Sequence, residues 1–238
     1  MRLALLSDIY ANLEALEEAA ADLPSRGVNR IAVLGDSIGY GANPNECLEW
    51  ALQHADFVLM GNHEKAVLDP RLRTLFNPEA RTAIEWTARI LSPRFKKILP
   101  DLKYSRFDKE AAFSHGSLHE PEAFHYLMSY QDSLPSFSFM EAPVCFVGHT
   151  HLPCCFCRET ETVERLKPGI HRLESEKFYI CNPGSVGQPR DGDSRLAYGI
   201  YDDKDHTFEI VRLSYDNKKA AGKIRNAGLP AYLAERLL

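Results

Sequence analysis

Three short apolar runs near the N-terminus, Leu3–Leu6, Ile31–Leu34 and Phe57–Met60, are separated by segments of helical periodicity, and this alternation constrains the fold more than any other feature. Apolar runs this short, bounded by turn formers, read as buried strands. Between the first two, Leu13, Leu16, Ala20 and Leu23 recur at helical spacing until Pro24 and Gly27 end the pattern. Between the second and third, Asn43-Pro44 starts a helix running towards His54. Strands joined through helices pair in parallel by right-handed crossovers, so the opening segment is expected to be β-α-β-α-β.

From Glu64 to about residue 110 a helical excursion beside the sheet is expected, with Asn77-Pro78 opening a helix whose Ile84, Thr87 and Leu91 share one face. Strand-like runs return at Ala111–Ser114, Val144–Val147, Phe178–Cys181, Arg195–Tyr201 and Thr207–Leu213. Little helix separates the last three, so this half is expected to be antiparallel. The tail, Asp216 to Leu238, reads as two helices broken at Gly228-Leu229-Pro230 and is expected to lie as a lid on a sheet face; its leucines and aromatics could equally make a homo-oligomer contact. No repeat, low-complexity tract or flexible linker divides the chain, which favours a single domain over residues 1–238.

Composition narrows the function classes. The 238 residues are 45% hydrophobic, enough for a sizeable core, and 33 acidic against 28 basic side chains give a net charge of −5 without a block of either sign. Neither a stable nucleic-acid partner nor an anionic membrane surface is indicated. The opening MRLALLSDIY is too short an apolar run for a signal peptide and no 18-residue apolar stretch comes after it, so a cytoplasmic protein without membrane contact is expected. Cys154, Cys155 and Cys157 crowd together while Cys47, Cys145 and Cys181 are scattered, which is no secreted disulfide framework; free thiols are expected. A zinc site from Cys154, Cys157, His171 and Cys181 has suitable ligand types but irregular spacing and no second C-x-x-C.

The residues directly after each strand carry the functional signal. Ser7-Asp8, Gly35-Asp36, Gly61-Asn62-His63-Glu64, His115-Gly116 and Gly148-His149-Thr150-His151 each trail an apolar run. Ligands of open α/β sheets gather beyond the strands' carboxyl ends, so side chains distant in sequence can converge there. A lone Asp or Asn after a strand is more often a turn former or helix cap, and a lone histidine is usually structural. Independent turn formers, however, would not place histidines at three such ends beside glycine. Carboxylate and amide oxygens with imidazole nitrogens suit Mn²⁺, Fe²⁺, Zn²⁺, Co²⁺ or Ni²⁺. Two such ions about 3.5–4 Å apart, bridged by one carboxylate, generate hydroxide at neutral pH and clamp a phosphoryl group for in-line attack.

The segments SDIYAN, GDSIGYG, GNHE at 61–64, HG at 115–116 and GHTH at 148–151 resemble, in order and placement, the five motifs of the calcineurin-like metallophosphoesterases. NPGSVGQPR at 182–190 and the KIRNAGLP tail resemble the small phosphodiesterase branch that includes YfcE-like and diadenosine tetraphosphatase-like proteins. The resemblance implies an α/β fold, a four-layer α-β-β-α sandwich of two mixed β-sheets with two divalent metals between them. By analogy Asp8, Asp36 and His151 hold the first metal, and Asp36, Asn62, His115 and His149 the second, with Asp36 as bridge. Asn62 and His63 would contact the phosphate, His63 as acid or phosphate-binding group.

One position departs from the pattern: Tyr10 stands where the family usually has a further histidine ligand of the first metal. A phenol of pKa about 10 ligates poorly at neutral pH unless a metal offsets its deprotonation, so Tyr10 is expected to be a weak ligand or none, and filling of the first metal site is in question. Arg190 could fork onto a phosphate or lie on a surface turn. His119, His125 and Tyr126 could line an entrance, although a surface helix is the plainer reading. The implied function is metal-dependent hydrolysis of a phosphodiester, nucleotide polyphosphate or phosphomonoester on a phosphorylated small molecule or nucleotide. The alternative is a catalytically impaired phosphate-ligand or metal-binding module, reached if Tyr10 disables the first metal.

Overall fold

A computed structural model describes all residues, 1–238. The first half runs β1 (Arg2–Leu6), α1 (Leu13–Asp22), β2 (Arg30–Val33), α2 (Pro44–His54) and β3 (Phe57–Val58). The excursion carries α3 (Asn62–Leu68), α4 (Pro78–Ile90) and α5 (Pro93–Ile98) before β4 (Ser105–Phe107). Next come β5 (Ala111–Ser114), α6 (Tyr130–Phe137), β6 (Val144–Phe146), β7 (Cys154–Cys157), β8 (Thr162–Arg165), β9 (Gly169–Arg172), β10 (Tyr179–Asn182), β11 (Leu196–Asp202), β12 (Thr207–Leu213), α7 (Asn217–Asn226) and α8 (Ala231–Glu235).

The strands form two six-stranded mixed sheets, ordered β3-β2-β1-β11-β12-β9 and β4-β5-β6-β10-β7-β8. β1, β2 and β3 pair in parallel, as their crossovers predict. Alternation along β1 sets the layers. Leu3 and Leu5 point into an apolar slab between the sheets with Phe113, Phe146 and Phe208. Ala4 and Leu6 point the other way, onto Ala15, Leu16 and Ala19 of α1 and Cys47 and Ala51 of α2. On the outer face of the second sheet Ala112, Cys145 and Ile180 pack against Phe137 of α6. The result is the expected sequence of layers: helices, sheet, sheet, helix. Each fully buried large side chain of the slab contributes about 1.5–3 kcal/mol.

Several expectations need correction. β5 and β6 pair in parallel, as do β6 and β10, and the other strand pairs of the second half are antiparallel. β4, β7, β8 and β9 add to the strands read from sequence; β8 is exposed along its whole length and β9 nearly so, which leaves no apolar pattern to detect. The tail does not lie on a sheet face. Ile224, Leu229, Leu233 and Leu237 bury against Ala83 of α4 and beside Tyr40, and Lys223 and Lys219 ion-pair with buried Glu14 of α1. Cys155 and Cys181 are not free: they face each other across the antiparallel β7–β10 pair, 4.3 Å between Cα atoms, and form a disulfide. Cys154 and Cys157 are buried thiols, and the zinc reading fails because Cys181 is committed and His171 bonds the Lys167 carbonyl on the sheet edge. No helix is long and apolar enough to cross a membrane.

Candidate metal centre

The carboxyl ends of β1, β2 and β3 from one sheet and β5 and β6 from the other converge where the two sheets meet. Asp8, Asp36, His115 and His151 are fully buried there, and His63 and His149 nearly so. The backbone is bent sharply to present them. Asp8, Tyr10, Asp36, His149 and His151 all have φ between 50° and 65°, the left-handed region that costs a non-glycine residue about 1–3 kcal/mol. Close approach fixes the neighbouring glycines: a Cβ on Gly61 would overlap Asp36 Oδ1, and one on Gly148 would overlap Ser7 Oγ.

Hydrogen bonds set the direction of each histidine. The His115 ring presents Nδ1 to the Leu34 carbonyl at 2.8 Å, and His151 presents Nδ1 to the Gln188 carbonyl at 2.6 Å. Since a carbonyl only accepts, both Nδ1 atoms are N–H donors and both Nε2 atoms face the centre, the orientation of metal-ligating imidazoles. His115 Nε2 lies 3.2 Å from each of Asp36 Oδ2, Asn62 Oδ1 and His149 Nδ1. On the other side His151 Nε2 lies 3.3 Å from Asp8 Oδ1 and 2.9 Å from the Tyr10 hydroxyl, which is itself 2.8 Å from Asp36 Oδ2.

The donor set fits divalent cations. Around His115 two oxygen acceptors and a second imidazole converge without enough protons to satisfy them, and Asp36, His115 and His149 form the one His/Cys/Asp/Glu cluster close enough to hold a metal. Asp8 Oδ1 is buried with no hydrogen-bond partner, an arrangement that costs free energy unless a cation meets it. Burial works against a charged His115, yet the Asp36 carboxylate beside it prevails and raises its pKa to about 9. Burial and His115 push His149 down to about 3. Burial opposes ionisation of Asp8, but its interaction with the adjacent His151 outweighs burial and holds the carboxyl at about 2. Burial and the Asp36 and Asp8 carboxylates push the Tyr10 hydroxyl well above its usual range, so the phenol keeps its proton.

All six proposed ligands thus lie in one crevice, with Tyr10 inserted between Asp36 and His151. Arg190 is not on a surface turn: it lines the same cavity and its guanidinium donates to Gln188 Oε1 at 3.2 Å. The segment 117–127 is no surface helix but an irregular loop with one tight turn at Pro121–Ala123; His119 and His125 flank Glu120 outside, while Tyr126 stacks on His149 with ring centroids 3.9 Å apart.

Sequence reasoning missed the braces. Glu64 accepts from the backbone N–H groups of Asp36, Ser37 and Gly61 at 2.7–3.0 Å, pinning the β2 turn to the start of α3. Ser185 donates to the Asp8 carbonyl at 2.8 Å and accepts from Gln188 N, tying the 182–190 loop to the β1 turn. The glutamate of GNHE stands among the strand-end residues, but nothing in the spacing tells a brace from a ligand.

A buried cluster of carboxylates, amide and imidazoles at the meeting edge of two mixed sheets defines a metal-dependent hydrolase site. Residues 1–206 match the calcineurin-like phosphoesterase superfamily domain, and the chain belongs to that superfamily. It is 40% identical over 240 residues to the uncharacterized protein MJ0912 of Methanocaldococcus jannaschii, covering 99% of this chain and 96% of that one. The crystal structure of a metallophosphoesterase from Sphaerobacter thermophilus is 35% identical with a TM-score of 0.89, covering 100% of this chain and 98% of that one. The hypothetical protein PH1004 from Pyrococcus horikoshii, 18% identical over 99% of this chain and 97% of its own, shares the fold with a TM-score of 0.79.

Proposed function

We propose that this metallophosphoesterase hydrolyses a phosphodiester or a phosphoanhydride of the nucleotide polyphosphate type in preference to a phosphomonoester, in the cytoplasm. The observation that carries the reading is the buried convergence of Asp36, Asn62, His115 and His149 beside a cavity whose wall holds Arg190. Asp8, Asp36 and His151 are the ligands of a first cation and Asp36, Asn62, His115 and His149 of a second, Mn²⁺ or Fe²⁺ being the best suited to this mixture of oxygens and imidazoles. Such cations supply a nucleophile at neutral pH and positive charge for the phosphoryl oxygens.

The chain's own groups do the rest. Asp36 lies between both halves and holds them in register, its Oδ1 fixed by the His63 N–H at 2.9 Å. The Asn62 amide would offer its oxygen to the cation and its NH2 to the phosphate. Burial lowers His63 to about 4 even though Asp36 favours its charged form, so at neutral pH it is an uncharged imidazole. Its Nδ1 is buried without a partner, which leaves Nε2 to meet the substrate, donating a hydrogen bond to a phosphoryl or leaving oxygen. Arg190 contributes a planar fork of N–H donors for a phosphate oxygen pair.

A second reading, a phosphate-ligand or metal-binding module with impaired catalysis, is favoured by one observation: Tyr10 places a protonated phenol where the first cation's ligands meet. Hydrolysis of bis-p-nitrophenyl phosphate by metal-stripped protein, re-supplied singly with Mn²⁺, Fe²⁺, Co²⁺, Ni²⁺, Zn²⁺ or Mg²⁺, separates the two. Turnover that requires metal and disappears in Asp36→Ala is expected. Metal bound through Asp36 without turnover under any ion would favour the module instead.

A further inference from the structure

Three cations line the cavity beside the metal centre: Lys65, Arg190 and Arg236. Lys65 is held on the Glu122 carbonyl at 3.0 Å and Arg236 is exposed, whereas Arg190 has its Nε buried without a hydrogen-bond partner. The groups against the Arg190 guanidinium are uncharged: it donates to Gln188 Oε1 at 3.2 Å and lies beside the Tyr40 and Tyr126 hydroxyls. No carboxylate pairs with this fork to fix its direction, so its placement falls to the backbone on either side. Where that backbone is loose, the cost of ordering a long side chain is met at the moment a ligand binds.

Before Arg190 the backbone is anchored. The Gln188 carbonyl accepts from His151 Nδ1 at 2.6 Å, and the Gln188 N–H donates to Ser185 Oγ at 2.8 Å. After Arg190 the chain enters a largely exposed loop, 191–195, through Gly192 with a left-handed φ of 86°. Such a loop has few contacts of its own to fix it. Arg212 of β12 supplies them. Its guanidinium ion-pairs with Asp191 and donates to the Asp193 and Arg195 carbonyls at 3.4 and 2.9 Å, so one side chain closes on three residues of the loop. The Arg212 side chain is 2% exposed and its Nε is buried without a partner. Burying an arginine this far is unfavourable unless it is paired, and an apolar side chain would cover the sheet at less cost. β12 carries none of the proposed metal ligands and does not line the cavity, so whatever this arginine contributes to the site passes through the loop it holds.

We propose that Arg212 is a positioning residue for Arg190: its clamp on residues 191–195 fixes the backbone directly after Arg190 and presents that guanidinium, already ordered, to a pair of phosphoryl oxygens. The proposal rests on the phosphate-binding role given to Arg190 above and adds the residue that sets it. Because the Gln188–His151 bond lies on the other side of Arg190, loss of Arg212 leaves the metal ligands in place and is felt in substrate binding.

The test is a double-mutant cycle in metal-loaded protein with bis-p-nitrophenyl phosphate. Arg212→Met, which keeps the length of the side chain and removes its fork, should raise KM about ten-fold and leave kcat within about two-fold. The Mn²⁺ dissociation constant should not move. Arg212→Lys, able to hold Asp191 but not both carbonyls, should fall between wild type and Arg212→Met. Arg190→Gln should raise KM by itself, and adding Arg212→Met to it should change KM by less than about two-fold. Asp191→Asn, on the exposed loop, serves in the same cycle if Arg212→Met does not fold. A KM unmoved by Arg212→Met and Asp191→Asn, an equal rise with and without Arg190, or a matching loss of Mn²⁺ affinity would overturn the proposal; an arginine that merely supports the loop gives the equal rise. Absence of turnover in the wild-type protein with every metal would count against the phosphohydrolase reading alone. Isothermal titration with inorganic phosphate then runs the same cycle: weakening by Arg212→Met that vanishes in Arg190→Gln sustains the positioning role, and equal weakening in both backgrounds, or none, overturns it.

Discussion

The two halves of the metal centre are built alike, from strand-end turns in left-handed conformation and a histidine anchored on a backbone carbonyl, yet only one of them holds a phenol. Around His115, the Asp36 and Asn62 oxygens and the His149 ring converge with no hydroxyl among them. Around His151, Tyr10 brings a phenol O–H within 3 Å of both Asp36 and the imidazole. The phenol proton, held well above the usual tyrosine range, is harder for a cation to displace than the proton of His115 with its pKa of about 9. Ligand types therefore do not by themselves rank two sites; the hydrogens they carry do.

The largest expected effect breaks both halves together. Asp36→Ala should abolish metal-dependent turnover by more than the roughly 10–100-fold typical of losing an outer-shell partner, measured with bis-p-nitrophenyl phosphate at saturating Mn²⁺. Next comes the asymmetry itself: His115→Ala should raise the Mn²⁺ dissociation constant of the tighter site more than His151→Ala does, and equal losses in equilibrium dialysis would erase the distinction. Glu64→Gln keeps size but weakens the brace under Asp36, and a loss of about 10–100-fold in metal affinity is expected. Tyr10→His should tighten the weaker site by about ten-fold and leave the stronger one within a factor of about two. A drop in turnover with that variant would show that the phenol is used.

The smallest effect is a control remote from both halves. Burial raises the Asp22 carboxyl, but the Tyr198 hydroxyl at 2.6 Å and Arg26 at 2.8 Å outweigh it and lower its pKa. Its ionised form is therefore favoured by folding, a contribution present above the unfolded value near pH 4 and lost as pH falls through the folded one. Asp22→Asn should cost about 1 kcal/mol in urea unfolding at pH 7, and the gap should close as the pH falls below 4.

The metal centre is legible in the sequence because its chemistry sits at strand ends. Short apolar runs locate β1, β2, β3, β5 and β6, and the residues trailing these runs are the proposed ligands. The rest needs three dimensions. β8 and β9 are exposed edge strands whose sequences, TVER and GIHR, carry no burial pattern. The parallel pairing of β6 with β10 joins segments more than thirty residues apart, and no local signal encodes it. Cys155 and Cys181 meet only through the register of β7 against β10. Tyr126 lies in a loop without periodicity, which hides its place on His149, and Arg236 reaches the cavity only because the tail packs on α1 and α4 rather than on a sheet.

Counting and ranking the bound metals tests the central claim most directly. Isothermal titration of Mn²⁺ into stripped protein should show two unequal binding events, both absent in Asp36→Ala. Binding that survives Asp36→Ala unchanged would place the metal elsewhere in the chain and contradict the account.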